Sequence, residues 1–199
     1  MNAPVMSPVE ASHFATLSGA CIDLNNIQPS LIHLNDILYG LIHTPRFNGQ
    51  TSRPYSVAHH TLAMYEAFEA REPVDPIRPI VGRETLIHDV PEYITGDIVT
   101  GVKARFLDAY RQLETEIDQA VRVKFKIEPV PPKIAELVRA RVKALDFAAY
   151  VSEALILQCR RVAPIDRFMH AATLKAVSYS DAHVHAELTR LFRTHVINR

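Results

Sequence analysis

The chain has 199 residues, 22 Lys and Arg against 22 Asp and Glu, a formal net charge of zero and 48% hydrophobic residues. That length suits a single domain spanning 1–199, that apolar content excludes a disordered chain, and zero net charge argues against a protein that neutralises a long nucleic acid. Cys21 and Cys159 are too few for a disulfide framework or a zinc ribbon, and no apolar run reaches the roughly 20 residues of a membrane span. The first residues, MNAPVMSPVEASHF, lack the features of a secretory signal, so a cytoplasmic setting is expected.

Charge is uneven along the chain. Residues 1–100 hold 5 basic and 11 acidic residues, and residues 101–199 hold 17 and 11. The bases of the second half are spread along helical patterns and read as solvated helix faces.

Residues 1–13 are polar with two prolines and are expected to be flexible. Residues 14–28 mix apolar and turn residues and are compatible with a short β-hairpin. Asn35 to His43 reads as a helix stopped by Pro45, and 45–54 (PRFNGQTSRP) as a loop. Tyr55 to Ala70 is the next helix, followed by a Pro-rich connection and a short helix from Ile80 to His88. The stretch DVPEYITGD (89–97) holds Pro and Gly and cannot form one regular helix. Phe106 to Phe125 has apolar residues at helical spacing (Phe106, Tyr110, Leu113, Ile117, Val121). Pro131–Pro132 opens a long helix running towards Leu157, Pro164 interrupts, and a last helix covers Asp181 to Ile197. No pair of long alternating runs exists, so the fold class is all-α.

The ten histidines are the unusual feature. His88–Asp89 stands at a helix end, where two adjacent side chains can turn towards one point; imidazole and carboxylate together suit a divalent transition metal, although an HD pair is also a common exposed turn. In the 55–70 helix, Val57, Thr61, Met64, Tyr65 and Phe68 define an apolar face. His60 flanks it, as an inward ligand or as a core-edge histidine; His59 lies nearly opposite and is expected to be solvated. Asp146 sits in the apolar stretch KALDFAAY, where a carboxylate needs a charged partner, either a metal or an arginine such as Arg139 or Arg141.

The order His60, His88–Asp89, Asp146 resembles that of the HD-domain phosphohydrolases, above all the bacterial 5′-deoxynucleotidases and the related prophage and phage nucleotide phosphohydrolases. The matching segments are PRFNG (45–49), YSVAHHTL (55–62), LIHDVPEYITGDIVTGVK (86–103) and VKALDFAAY (142–150), within about residues 30–157. The resemblance implies an HD-type helical bundle. It also implies one divalent ion (Co²⁺, Mn²⁺, Zn²⁺ or Fe²⁺) held by His60, His88, Asp89 and Asp146, with Glu92 and Asp97 lining the same pocket as catalytic acids. Arg46 resembles the arginine that binds the substrate phosphate, Lys103 is a further phosphate contact, and Phe47 stands where the deoxynucleotidases have a larger tryptophan beside the sugar. His59 occupies a position often held by Gln or Glu in relatives.

Elementary chemistry allows these roles and leaves others open. Glu92 follows Asp89 closely enough to orient or deprotonate a metal-bound water, but an acid there also suits a helix N-terminus. Asp97 can bind a sugar hydroxyl or cap the next helix. The expected activity is hydrolysis of a 5′-deoxynucleoside monophosphate to nucleoside and phosphate. The alternatives are a deoxynucleoside triphosphate triphosphohydrolase using the same site and a non-catalytic nucleotide-binding module. The expected partner is a small nucleotide, without membrane, in a homo-oligomer. The apolar residues Leu188, Leu191, Phe192 and Val196 of the last helix would supply either an interface or core.

Overall fold

A computed structural model of the chain describes residues 12–106, 108–160 and 162–197. The fold is mostly helical, with one small sheet near the N-terminus. Strands β1 (His13–Ala15) and β2 (Cys21–Asp23) pair antiparallel, Phe14 opposite Ile22, in the segment where a hairpin was expected. The expectation of a flexible 1–13 needs correction at its end: His13 already lies in β1, while residues 1–11 lie outside the described residues.

Helix α1 (Leu34–His43) is followed by a tight turn over Arg46–Gly49. Then come α2 (Val57–Arg71), α3 (Arg78–Ile87) and the single turn α4 (Glu92–Thr95). The helix expected over Phe106 to Phe125 corresponds to α6 (Asp108–Lys124), preceded by α5 (Thr100–Phe106); residue 107 lies outside the described residues. The long α7 (Pro132–Gln158) begins at the paired prolines and ends where Cys159 takes the left-handed conformation. Beyond Pro164, α8 (Arg167–Ala176) is a helix the periodicity did not reveal; Asp166 caps it by accepting from the N–H groups of Phe168 and Met169. The final helix α9 (Asp181–Phe192) passes into a wide π turn over Arg193–Ile197. No helix among the described residues is long and apolar enough to cross a membrane.

Helix α2 is the axis of the molecule. Its residues from Val57 to Tyr65 are all buried, because α1, α3, α7, α8 and α9 pack around it. A helix buried on every side cannot show a clear amphipathic stripe, which is why the sequence misplaces His59. Expected to be solvated, His59 is only 5% exposed, covered by the segment joining α8 to α9. Its Nδ1 lies 2.8 Å from Ser56 Oγ and its Nε2 3.3 Å from the Tyr179 carbonyl. Leu188, Leu191, Phe192 and Val196 are buried within the same core, so the apolar face of the last helix is core rather than a free surface.

Two glycines shape the neighbourhood of the candidate site. A side chain at Gly40 would meet Tyr93 Cβ at 2.8 Å, so glycine lets α1 lie directly against α4. Gly96, at φ 75°, ends α4 and turns the chain towards Arg46.

Candidate metal centre

Four side chains from three helices meet at one point. His60 enters from the first turns of α2, His88 and Asp89 from the end of α3, and Asp146 from the middle of α7. His60 Nε2 lies 3.3 Å from Asp146 Oδ1 and 3.6 Å from Asp89 Oδ2. His88 Nε2 lies 3.1 Å from Asp89 Oδ2. A ligand atom from each of His60, His88 and Asp146 lies within 4.8 Å of the other two.

Both imidazoles are oriented from behind. His60 Nδ1 donates to Glu153 Oε1 at 2.6 Å, and His88 Nδ1 donates to the Thr85 carbonyl at 2.8 Å. That fixes Nε2 of each ring as the atom facing the cluster. Both Nε2 atoms are buried with no partner but carboxylate oxygens, Asp146 Oδ1 at 3.3 Å from His60 and Asp89 Oδ2 at 3.1 Å from His88. Two aligned imidazole nitrogens and two carboxylates form a donor set able to hold a divalent transition metal. Asp146 is half-exposed, so the cluster is open on one side. Its alternative partner is engaged elsewhere: Arg141 pairs with Asp75 at 2.7 Å.

The charges around the cluster are strongly perturbed. Burial pushes the His60 imidazolium down, and Arg46 acts in the same sense, yet Glu153 and Asp146 outweigh both and lift it to about 10. Burial alone would raise the Asp89 carboxyl, but His88, His60 and Arg46 hold it well below the carboxylate range. Glu92 goes the other way: burial, then the charges of Asp89 and Asp97, push it up to about 9 despite Lys103 and Arg46. Two neighbouring carboxylates with opposite tendencies are a common mark of acid–base sites. Glu92 Oε2 is buried without a partner, while Oε1 accepts from Lys103 at 3.3 Å.

The remaining residues named from sequence fall around this cluster. Arg46 follows Pro45, which bridges to Ser56, and its guanidinium donates to Asp97 Oδ2 at 3.3 Å and Glu153 Oε2 at 3.2 Å. Its Nε is buried without a partner. Asp97 therefore anchors Arg46 instead of capping a helix. Phe47 and Asn48 adopt left-handed backbone, at φ 55° and 51°, and the Phe47 ring lies 6.0 Å from that of Tyr150 on α7. Lys103 does not stand free for a phosphate: it pairs with Glu92 and, at 2.9 Å, with Glu114.

Beside His88 and Asp146, between α3, α6 and α7, opens a cavity of about 750 Å³. Val138 and Val142 form part of its floor, and Arg139 and Lys143, one turn apart on α7, line it without forming an ion pair.

Glu153 is the member of this constellation that the sequence reading missed. It is fully buried, and although burial raises its carboxyl, His60 and Arg46 bring it down to about 2. A signal was present: it is an acid in the apolar run AYVSEALIL, two helical turns after Asp146 and therefore on the same face of α7.

No protein-family model matches the chain. The protein RCAP_rcc00048 of Rhodobacter capsulatus is 37% identical over 143 residues, which cover 67% of this chain and 72% of that protein. YfdR of Escherichia coli is 30% identical over 138 residues, 68% of this chain and 72% of that protein. Both relatives are described only as uncharacterised.

Proposed function

The chain belongs to the family of RCAP_rcc00048 and YfdR, and we propose that it is an HD-type, metal-dependent phosphohydrolase acting on nucleotides, foremost a 5′-deoxynucleoside monophosphate. One observation carries the reading: the buried Nε2 atoms of His60 and His88 converge on the carboxylates of Asp89 and Asp146 beside the perturbed acid Glu92.

His60, His88, Asp89 and Asp146 would hold the ion, with the half-exposed side of Asp146 leaving room for water and a phosphoryl oxygen. A divalent ion bound there supplies charge to a phosphoryl oxygen and acidity to a water. Glu92, in its ionised form, takes the proton of the attacking water. Water adds to phosphorus, the P–O5′ bond breaks, and the proton passes to the leaving oxygen, giving deoxynucleoside and phosphate. Arg46, clamped by Asp97 and Glu153, keeps three N–H groups for the phosphate, that of Nε among them. Phe47 packs against the sugar, where a 2′-hydroxyl would lose its hydrogen bonds.

A second reading, hydrolysis of a deoxynucleoside triphosphate, is favoured by Arg139 and Lys143, two of the four basic residues lining the cavity and on the same helix as Asp146. A third, a nucleotide-binding module without catalysis, gives no role to Glu92, whose Oε2 is buried without a partner at the cluster. The test is a phosphate-release screen over mono-, di- and triphosphates of all deoxy- and ribonucleosides with Co²⁺, Mn²⁺ and Zn²⁺. Inorganic phosphate from deoxynucleoside monophosphates supports the first reading, and triphosphate as product the second. Nucleotide binding without turnover leaves only the third.

A further inference from the structure

Glu153 touches both halves of the site, and nothing else does so from so deep in the core. Its two carboxylate oxygens face different partners: Oε1 accepts from His60 Nδ1 at 2.6 Å, and Oε2 accepts from Arg46 Nη2 at 3.2 Å. The side chain is fully buried, and its helix also carries Asp146 two turns earlier. We propose that Glu153 is a positioning residue shared by the metal ligand His60 and the anion-binding Arg46, so that one carboxylate sets the geometry of both.

The physical reason lies in the division of its oxygens. A carboxylate behind an imidazole selects the Nδ1–H tautomer, holds the ring plane and makes Nε2 a better donor to a metal; losing such a partner costs on the order of 10- to 100-fold in metal affinity. A guanidinium held at a second point keeps its free donors aimed before an anion arrives, which reduces the ordering that binding must impose. Asp97 holds the other end of Arg46 but has no contact with His60, so its removal should affect the anion alone. Thr85, which orients His88 through a backbone carbonyl, has no link to Arg46. Among the described residues, Glu153 is the one hydrogen-bonded to both the His60 and the Arg46 side chain. The proposal rests on the metal-binding reading above.

Metal and anion binding separate the two roles without any need for turnover. Chelator-treated protein is titrated calorimetrically with Co²⁺, and the Co²⁺-loaded protein with inorganic phosphate, for wild type, Glu153→Ala, Glu153→Gln and Asp97→Ala. Glu153→Ala should weaken Co²⁺ binding by about 10- to 100-fold and phosphate with it. Glu153→Gln keeps an oxygen for the His60 N–H but turns an amide NH₂ towards Arg46. It should retain Co²⁺ affinity within a few fold, shift the visible Co²⁺ absorption and weaken phosphate about tenfold. Asp97→Ala should weaken phosphate only. If wild type binds Co²⁺ and both Glu153 variants match it for Co²⁺ and phosphate, the proposal falls while the reading of the site stands. If wild type binds no Co²⁺, the reading of the site falls and the proposal falls with it. Should Glu153→Ala not fold, the split seen in the near-isosteric Glu153→Gln decides.

Discussion

Lys103 Nζ stands 3.3 Å from Glu92 Oε1, tying α5 to the buried acid beside the candidate metal cluster. The contact changes what Lys103 is for. A lysine engaged with Glu92 and Glu114 stabilises the ionised form of a buried acid that burial and Asp89 push up to about 9. Replacing Lys103 with Met removes that support, so the Glu92 carboxyl should rise further. If Glu92 must be ionised to accept a proton, the ascending limb of the pH–rate profile moves to higher pH. Turnover at neutral pH falls, and KM changes little. A large KM effect with an unmoved limb would return Lys103 to phosphate binding.

Proton linkage makes a prediction about stability in chelator-treated protein. Glu92 is raised to about 9 in the fold, so the folded state holds its proton where the unfolded chain has released it, from about 4.5 upward. His60 is raised to about 10 from 6.5, so its contribution is complete below 6.5 and is lost as pH climbs towards 10. Both act in the same direction: stability should decline between about pH 5 and pH 9. Glu92→Gln should flatten the lower part of that decline. Thermal unfolding at a series of pH values measures it, and a melting temperature rising across the window would contradict the assignment.

His59 and His60 are neighbours with different duties. His60→Ala should abolish Co²⁺ binding, as should Asp89→Ala. His59→Ala should bind Co²⁺ as wild type does but lose about 1–3 kcal/mol of stability, because it leaves buried hydrogen-bonding groups at Ser56 and Tyr179 without their partner. Calorimetric Co²⁺ titration and denaturant unfolding separate the two effects. Loss of metal in His59→Ala would place that ring in the site.

The left-handed pair Phe47–Asn48 carries strain that glycine would relieve. Asn48→Gly should be tolerated or stabilising, by up to about 1 kcal/mol. If the strain serves to present Arg46 and Phe47, KM should nevertheless rise, because a looser turn must be ordered by the substrate.

The sequence made much of this arrangement legible, for identifiable reasons. His60, His88, Asp89 and Asp146 were singled out because their residue types and order are informative; the structure gathers His60, His88 and Asp146 within 4.8 Å of one another, with Asp89 beside the two imidazoles. Helix starts marked by proline, as at Pro132, were also legible. What escaped was whatever depends on packing from distant segments. His59 appeared solvated because the cover supplied by Tyr179 comes from 120 residues further along the chain. Glu153 looked like one acid in an apolar helix because its partners lie on α2 and on the turn after α1. Helix α8 was overlooked although a signal was present: its buried residues Met169, Ala172, Thr173 and Ala176 repeat at helical spacing.

The burial of α2 on every side bears on how the protein is made. From Val57 to Tyr65 this helix has no face in water, so that part becomes a helix only as its neighbours close around it. His60 therefore cannot meet Asp146 and Asp89 in a half-assembled chain. If the cluster takes an ion as proposed, the newly made polypeptide would stay blind to scarce transition metals until late in assembly, and uptake would mark a molecule whose core has finished closing.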